Sequence, residues 1–175
     1  MRFFTSDHHF NHKNILKLQP ERLPFNDVDY MNEELIRRHN ARVSVSDEVY
    51  FLGDVLFGGN TEVNSSILSR MHGTKILIKG NHDRANVTKL KSWGFNVVHN
   101  KCLLISIGTY YVELRHHPVY EGELTGFLLH GHIHTTEKRR GNKIHVGVDA
   151  WDYCPVSEYE IVQLMKESEL DDGHT

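Results

Sequence analysis

Cysteine is scarce, with only Cys102 and Cys154 among 175 residues. Two thiols allow one bridge at most, which excludes a disulfide scaffold and points to free thiols in a reducing compartment. Proline is scarce too, at four scattered positions, and there is no Ser/Gly run or repeat, so no linker or low-complexity segment divides the chain. Neither charge dominates. Twenty Lys and Arg stand against 23 Asp and Glu, for a net −3, which excludes a general field for nucleic acid but not a local basic patch. No apolar run approaches ~18 residues, so no transmembrane helix and no membrane partner is expected. The opening Met1-Arg2-Phe3-Phe4-Thr5-Ser6-Asp7 meets charge too soon for a signal peptide. The expectation is a globular, cytoplasmic chain forming one domain over residues 1–175.

Histidine, by contrast, is abundant, with 14 residues. It is the commonest metal ligand and titrates near neutral pH. The surrounding pattern alternates strands and helices. Residues 2–6 read as a strand running into Asp7, 14–18 as a helical turn, and 19–27, with Pro20 and Pro24, as an irregular loop. Val28, Met31, Leu35, Ile36 and Val43 form a helical stripe, as do Val63, Ile67, Leu68 and Met71. Further strands are expected at 49–52, 74–79, 103–107, 110–115, 127–129 and 143–148, with Gly108-Thr109 closing a hairpin. Asn86 caps a helix running to Ser92. Ser157 and Glu160 have capping-box spacing for a closing helix over 158–170, followed by a frayed tail over 171–175. This order predicts an α/β (α+β) fold with helices outside stacked sheets.

Five polar clusters each follow an expected strand. They are Asp7-His8-His9, Gly53-Asp54, Gly80-Asn81-His82-Asp83, His116-His117-Pro118 and Gly131-His132-Ile133-His134. Strand ends are where α/β folds build sites. In strand-like backbone, residues two apart point the same way, so Asp7 with His9, and His132 with His134, would each turn two ligands to one side. Oxygen and imidazole donors without thiolate suit Mn²⁺, Fe or Zn²⁺. About seven such groups exceed one tetrahedral ion. Two ions roughly 3.5–4 Å apart, sharing a carboxylate and a bridging hydroxide nucleophile, would suit phosphoryl displacement. Gly53, Gly80 and Gly131 would let the backbone turn tightly beside the ligands.

In this order the five motifs resemble the calcineurin-like metallophosphoesterase superfamily, over Asp7 to His134. The resemblance implies a four-layer αββα sandwich of two mixed sheets flanked by helices, and the short spacings between the motifs leave no room for a large cap domain. It implies that Asp7, His9 and His134 bind one metal, that Asn81, His116 and His132 bind a second, and that Asp54 bridges them. His82 would be the general acid, oriented by Asp83. The cofactors implied are two divalent ions drawn from Mn, Fe, Zn or Ni, manganese first. The run from Ser6 to Asn14 and the stretch Val146-Gly147-Val148-Asp149-Ala150-Trp151-Asp152-Tyr153 look like a small subgroup of bacteria and their phages; the second stretch has no derivable role.

The other candidates divide. His8, His117 and His130 read as packing or strand-end residues, and His39, His72, His99, His145 and His174 match no motif. His12, three residues after His9, is a candidate substrate contact. Arg84 and Arg115 would clamp phosphate or form surface ion pairs. Lys138-Arg139-Arg140 with Lys143 would grip a polyanion or form a solvated hairpin tip at Gly141-Asn142, the second being favoured. Trp151 and Tyr153 are core residues before they are base-stacking ones. Segments 19–27 and 135–143 would frame the substrate. The function expected is a phosphodiesterase acting on a nucleotide-type substrate or a nucleic-acid end. The alternatives are a phosphomonoesterase of metabolites or phosphoproteins, and a metal-bound module without catalysis.

Overall fold

Parallel neighbours in a sheet need a crossover between them, and the first half of the chain supplies a helix for each one. The computed structural model describes residues 1–22, 24–118 and 126–172. Strand β1 (Arg2–Thr5) leads through α1 (Ile15–Leu18), a 3₁₀ turn at Pro20–Arg22 and α2 (Val28–Arg42) to β2 (Glu48–Phe51). Helix α3 (Thr61–Arg70) joins β2 to β3 (Thr74–Ile78), and α4 (Val87–Trp93) joins β3 to β4 (Val97–His99). These four strands lie parallel in chain order. Each crossover helix begins at a side chain that takes a free N–H. Asp27 accepts from Tyr30 N at 2.7 Å, Asn60 from Val63 N at 2.9 Å, and Asn86 from Lys89 N at 2.9 Å.

The second sheet starts with the hairpin of β5 (Cys102–Ile107) and β6 (Tyr110–Arg115), which turns at Gly108-Thr109. It continues with β7 (Phe127–His130), a two-residue β8 (Arg139–Arg140) and β9 (Lys143–His145), in spatial order β5-β6-β7-β9-β8. Strands β6, β7 and β9 are parallel, and both edges are antiparallel. Strand β10 (Val156–Ser157) returns to the first sheet, antiparallel to β1. Helix α5 (Glu158–Asp172) follows, and its capping box forms as expected: Ser157 N donates to Glu160 Oε2 at 2.8 Å, and Glu160 N to Ser157 Oγ at 3.3 Å. It runs two residues beyond the expected end, and 173–175 of the expected frayed tail lie outside the described residues.

Side-chain alternation sorts the first sheet into two faces. Phe3, Val49, Phe51 and Leu77 pack under Met31, Leu35, Leu68 and Leu90 of α2, α3 and α4. Phe4, Tyr50, Leu52, Ile76 and Ile78 face the second sheet's Ile107, Val112, Leu114, Leu129 and Ile144. The two mixed five-stranded sheets therefore stack as a sandwich, with three helices outside the first and α5 adding Ile161 and Met165 to the inter-sheet core. A fully buried side chain such as Leu52 contributes about 1.5–3 kcal/mol by leaving water. Strands β4, β8 and β10 were not signalled by the sequence, because two or three residues are too few to show an alternation. Among the described residues, no helix is long and apolar enough to cross a membrane.

Candidate metal centre

The C-terminal ends of β1, β2, β3, β6 and β7 deliver the five polar clusters to one edge of the sandwich. The backbone turns sharply as it arrives. φ is +61° at Asp7, +51° at His9, +53° at Asp54, +76° at His132 and +46° at His134. Non-glycine residues seldom adopt this left-handed conformation, and it concentrates at functional sites. The two-residue spacing thus does not act through strand alternation. Asp7 and His9 share one group, as expected, but His132 and His134 diverge into two.

The first group is Asp7, His9 and His134. His9 Nε2 lies 3.1 Å from His134 Nε2, and His134 Nε2 lies 4.0 Å from Asp7 Oδ1. In the second group, His116 Nε2 is 3.0 Å from Asn81 Oδ1 and 3.2 Å from His132 Nδ1. Asp54 stands between the groups, with Oδ2 3.2 Å from His116 Nε2 and 3.9 Å from His9 Nε2.

Hydrogen bonds on the far side of two rings fix which nitrogen is bare. His116 Nδ1–H donates to the Leu52 carbonyl at 2.8 Å, and His134 Nδ1–H to Asp149 Oδ2 at 2.8 Å. Both Nε2 atoms then present lone pairs, one toward His9 Nε2 and the other toward the oxygens of Asn81 and Asp54. Converging lone pairs repel unless a proton or a metal ion sits among them. A nitrogen–oxygen set without thiolate fits a divalent ion such as Mn²⁺, Fe²⁺ or Zn²⁺.

At Asp7, Asp54 and His9 the electrostatics favour the ligating protonation states, whereas at His116 they favour a proton that a metal ion would displace. Burial opposes charge on Asp7, but His145, His134, His116 and His9 outweigh it and hold the carboxyl well below the usual range. Asp54 is lowered in the same way: burial opposes, and His116 prevails. Burial pushes His9 down to about 3, so its imidazole is neutral. At His116 burial also works against the charge, yet the Asp54 and Asp7 carboxylates raise its pKa.

His82 sits at the mouth, partly exposed, with Nε2 3.9 Å from Asp54 Oδ2 and its backbone N–H donating to Asp54 Oδ1 at 2.9 Å. Asp83 does not take the expected place beside the His82 ring. Its Oδ2 accepts from Asp54 N at 2.8 Å and Gly80 N at 2.9 Å, which ties the two loops together, and burial raises its pKa. His12 stacks on Phe57 at 3.7 Å between ring centroids and meets His9 edge-on at 5.6 Å, at the rim of the first group. Arg84 is exposed beyond His82, while Arg115 lies beside Glu113 Oε1 at 2.6 Å. Of the expected turn glycines, Gly53 alone has a positive φ, +89°. Gly131 serves close approach instead: a Cβ there would lie 1.9 Å from Ser6 Oγ.

Four residues were not read as part of the site. His117 belongs beside the second group, its ring centroid 4.1 Å from that of His132. His145 is buried with Nε2 3.9 Å from Asp7 Oδ2. Asp149 holds His134, and Arg22 holds Asp149, with Nε 2.9 Å from Oδ1. Segment 19–27 therefore anchors the centre through Arg22; Leu23 lies outside the described residues. Only the last two carried a signal, in the unexplained stretch around Asp149 and a charged residue inside an irregular loop.

The basic segment forms the expected hairpin tip at Gly141-Asn142. Arg140 pairs with Glu137 at 2.8 Å, and Lys138 Nζ lies 4.1 Å over the Trp151 ring. Trp151 is a core residue donating to the His145 carbonyl at 2.8 Å, and Tyr153 packs on Phe25 at 4.8 Å.

No protein-family model matches this sequence. The uncharacterized protein MJ1445 of Methanocaldococcus jannaschii is 31% identical over 178 residues, covering 96% of this chain and 93% of that protein. Gene 66 protein of Mycobacterium phage L5 is 28% identical over 208 residues, covering 99% of this chain and 98% of its own. Among solved structures, AQ665 of Aquifex aeolicus, a protein of unknown function, superposes with a TM-score of 0.76 at 27% identity, over 94% of this chain and 98% of that one. The E. coli phosphoesterase YfcE is more remote, with a TM-score of 0.45 at 17% identity over 83% of this chain and 77% of its own.

Proposed function

This chain belongs to the same family as the Methanocaldococcus jannaschii protein MJ1445, and we propose that it is a dinuclear-metal-dependent phosphoester hydrolase. The position of Asp54 carries this reading: one carboxylate oxygen stands 3.2 Å from a ligand of the second group and 3.9 Å from a ligand of the first. Paired ions acting on one phosphoryl group need such a shared anion between them. The order of the five motifs, which resembles the calcineurin-like superfamily, supports the same chemistry.

Asp7, His9 and His134 would hold one ion, Asn81, His116 and His132 the other, and Asp54 both. Bound there, divalent ions lower the pKa of water and polarise phosphoryl oxygens. The chain's own residues supply the rest. The Leu52 carbonyl and Asp149 aim His116 and His134 through their Nδ1–H groups. His82, partly exposed and anchored through its backbone to Asp54, is within reach of a leaving oxygen and gives it a proton. The substrate class is a phosphodiester of nucleotide type or a nucleic-acid end, taken up by one uncapped cytoplasmic domain, with manganese as the first metal to try.

The test is a paired assay of metal-loaded wild type and His82→Ala on p-nitrophenyl phosphate and its bis ester, with Mn²⁺, Ni²⁺, Zn²⁺ and Mg²⁺. The diester should turn over faster. His82→Ala should lower turnover by about 10²–10⁴ with metal content unchanged. Faster monoester hydrolysis would make the protein a phosphatase. No turnover of either ester with two ions bound would replace the hydrolase with a metal-bound interaction module.

A further inference from the structure

We propose that the recess beside the second ligand group seats a second phosphate of the substrate, an inference that rests on the phosphoesterase reading of the centre. The end of β3, the β4–β5 connection and the end of β6 meet here. Lys79, Asn81, Asn100, Lys101, Arg115 and His116 are among the residues lining a cavity of about 270 Å³. Asn81 and His116 belong to the centre as well, and His116 Nε2 faces Asn81 Oδ1 at 3.0 Å. The recess therefore opens directly from the place where the reacting phosphoryl group would lie.

Its charge is one-sided. Among the described residues, three cations line it and no carboxylate does, in a chain whose net charge is −3. Two of the cations are held in place: Lys79 Nζ donates to the Ala85 carbonyl at 3.0 Å, and Arg115 lies against Glu113. Lys101 is exposed, and its ammonium pairs with no described residue. Phosphate oxygens make their strongest hydrogen bonds to such cationic donors. The flank beside His9 of the first group differs. There Phe57 stacks on His12 at 3.7 Å and approaches His82 at 5.2 Å, a surface suited to a flat ring. The two flanks together describe a substrate with an aromatic moiety on one side of the reacting phosphate and another phosphate on the other.

Calorimetric titration of the metal-loaded protein tests this. Thymidine 3′,5′-bisphosphate should bind about tenfold more tightly than thymidine 5′-monophosphate, the size of one charge-assisted contact. That advantage should shrink in Lys101→Gln and vanish in Lys79→Gln/Lys101→Gln, and added salt should narrow it in the wild type. If the double variant does not fold, Lys101→Glu should invert the preference. Equal affinity of the two nucleotides in the wild type, or an advantage that survives these substitutions, overturns the proposal. The dinucleotide pTpT separates two sources of the phosphate: affinity equal to the bisphosphate marks a backbone phosphate, and weaker affinity a terminal one. Run in the His82→Ala background, which keeps its metal and does not consume pTpT, these titrations read binding without turnover, so a failure of the wild type to hydrolyse any ester would sink the phosphoesterase reading and leave this result standing.

Discussion

Arg22 and Asp149 form an ion pair wholly shielded from solvent, Nε to Oδ1 at 2.9 Å, and the same carboxylate accepts His134 Nδ1–H at 2.8 Å. Arg22 also donates to the carbonyls of His8 and Asp7, so one guanidinium ties the strand carrying the first ligands to the turn carrying Asp149. A partner behind a ligating histidine fixes its tautomer and direction, and losing it costs about 10–100-fold in metal affinity. Asp149→Ala should weaken the first metal by that factor and spare the second, read by metal titration. The lone Arg22 it leaves is itself destabilising, by about 3–5 kcal/mol. The neutral pair Arg22→Met with Asp149→Asn avoids that charge. Should this double variant fold and keep both metals at wild-type affinity, the carboxylate has no part in holding His134.

Gly131 has no room for a side chain. A Cβ would stand 1.9 Å from Ser6 Oγ and 2.6 Å from Asp7 Oδ2. Asp7 itself accepts the His132 N–H at 2.9 Å, so any shift of Asp7 is felt in both ligand groups. Gly131→Ala should destabilise the metal-free protein by about 1–3 kcal/mol, as overpacking does, and should weaken the metal at the first group. Urea unfolding with and without metal reads both effects, and an unchanged midpoint would show that the loops can part freely.

What the sequence made legible was local. Short apolar strands ended at polar clusters five times, and Ser157 with Glu160 announced the closing helix. By resemblance the motifs also grouped Asp7, His9 and His134, side chains that the fold brings together. The backbone that delivers the ligands was hidden, because the positive φ at Asp7, His9, Asp54, His132 and His134 has no composition cue in non-glycine residues. The bond from Arg22 to Asp149 spans 127 residues and belongs to no short motif. Asp83 shows the same limit: its position beside His82 in sequence suggested a partnership, but the fold turns its carboxylate to the backbone of Gly80 and Asp54.

Asp54 and His82 should separate binding from proton transfer. Asp54→Asn keeps the shape that accepts the His82 N–H at 2.9 Å but removes the negative charge between the groups and leaves one neutral acceptor oxygen. It should lose at least one of two bound metals and lower turnover by about 10³ or more. His82→Ala should lose turnover with both metals retained. Metal content after dialysis, measured beside activity, distinguishes them. An Asp54→Asn variant that holds two ions as tightly as wild type would remove the bridging role.

His39 offers a pH signature away from the metal centre. It lies on α2, fully buried, stacked on Phe51 at 5.9 Å, with Nε2–H donating to the His72 carbonyl at 3.0 Å. Burial, only partly offset by the bond to the His72 carbonyl and reinforced by Lys75, pushes its pKa down to about 4. In the unfolded chain it returns to about 6.5. A depressed histidine is neutral when folded, so unfolding takes up a proton below pH 6.5. Its contribution is therefore complete above about 6.5 and is lost as pH falls toward about 4. At pH 5 the loss is about 2 kcal/mol. His39→Gln keeps a side-chain donor and does not titrate. Chelator-treated wild type should lose about 2 kcal/mol more than His39→Gln between pH 7 and pH 5. Urea unfolding at the two pH values measures this, and equal losses would show that His39 is protonated in the folded state at pH 5.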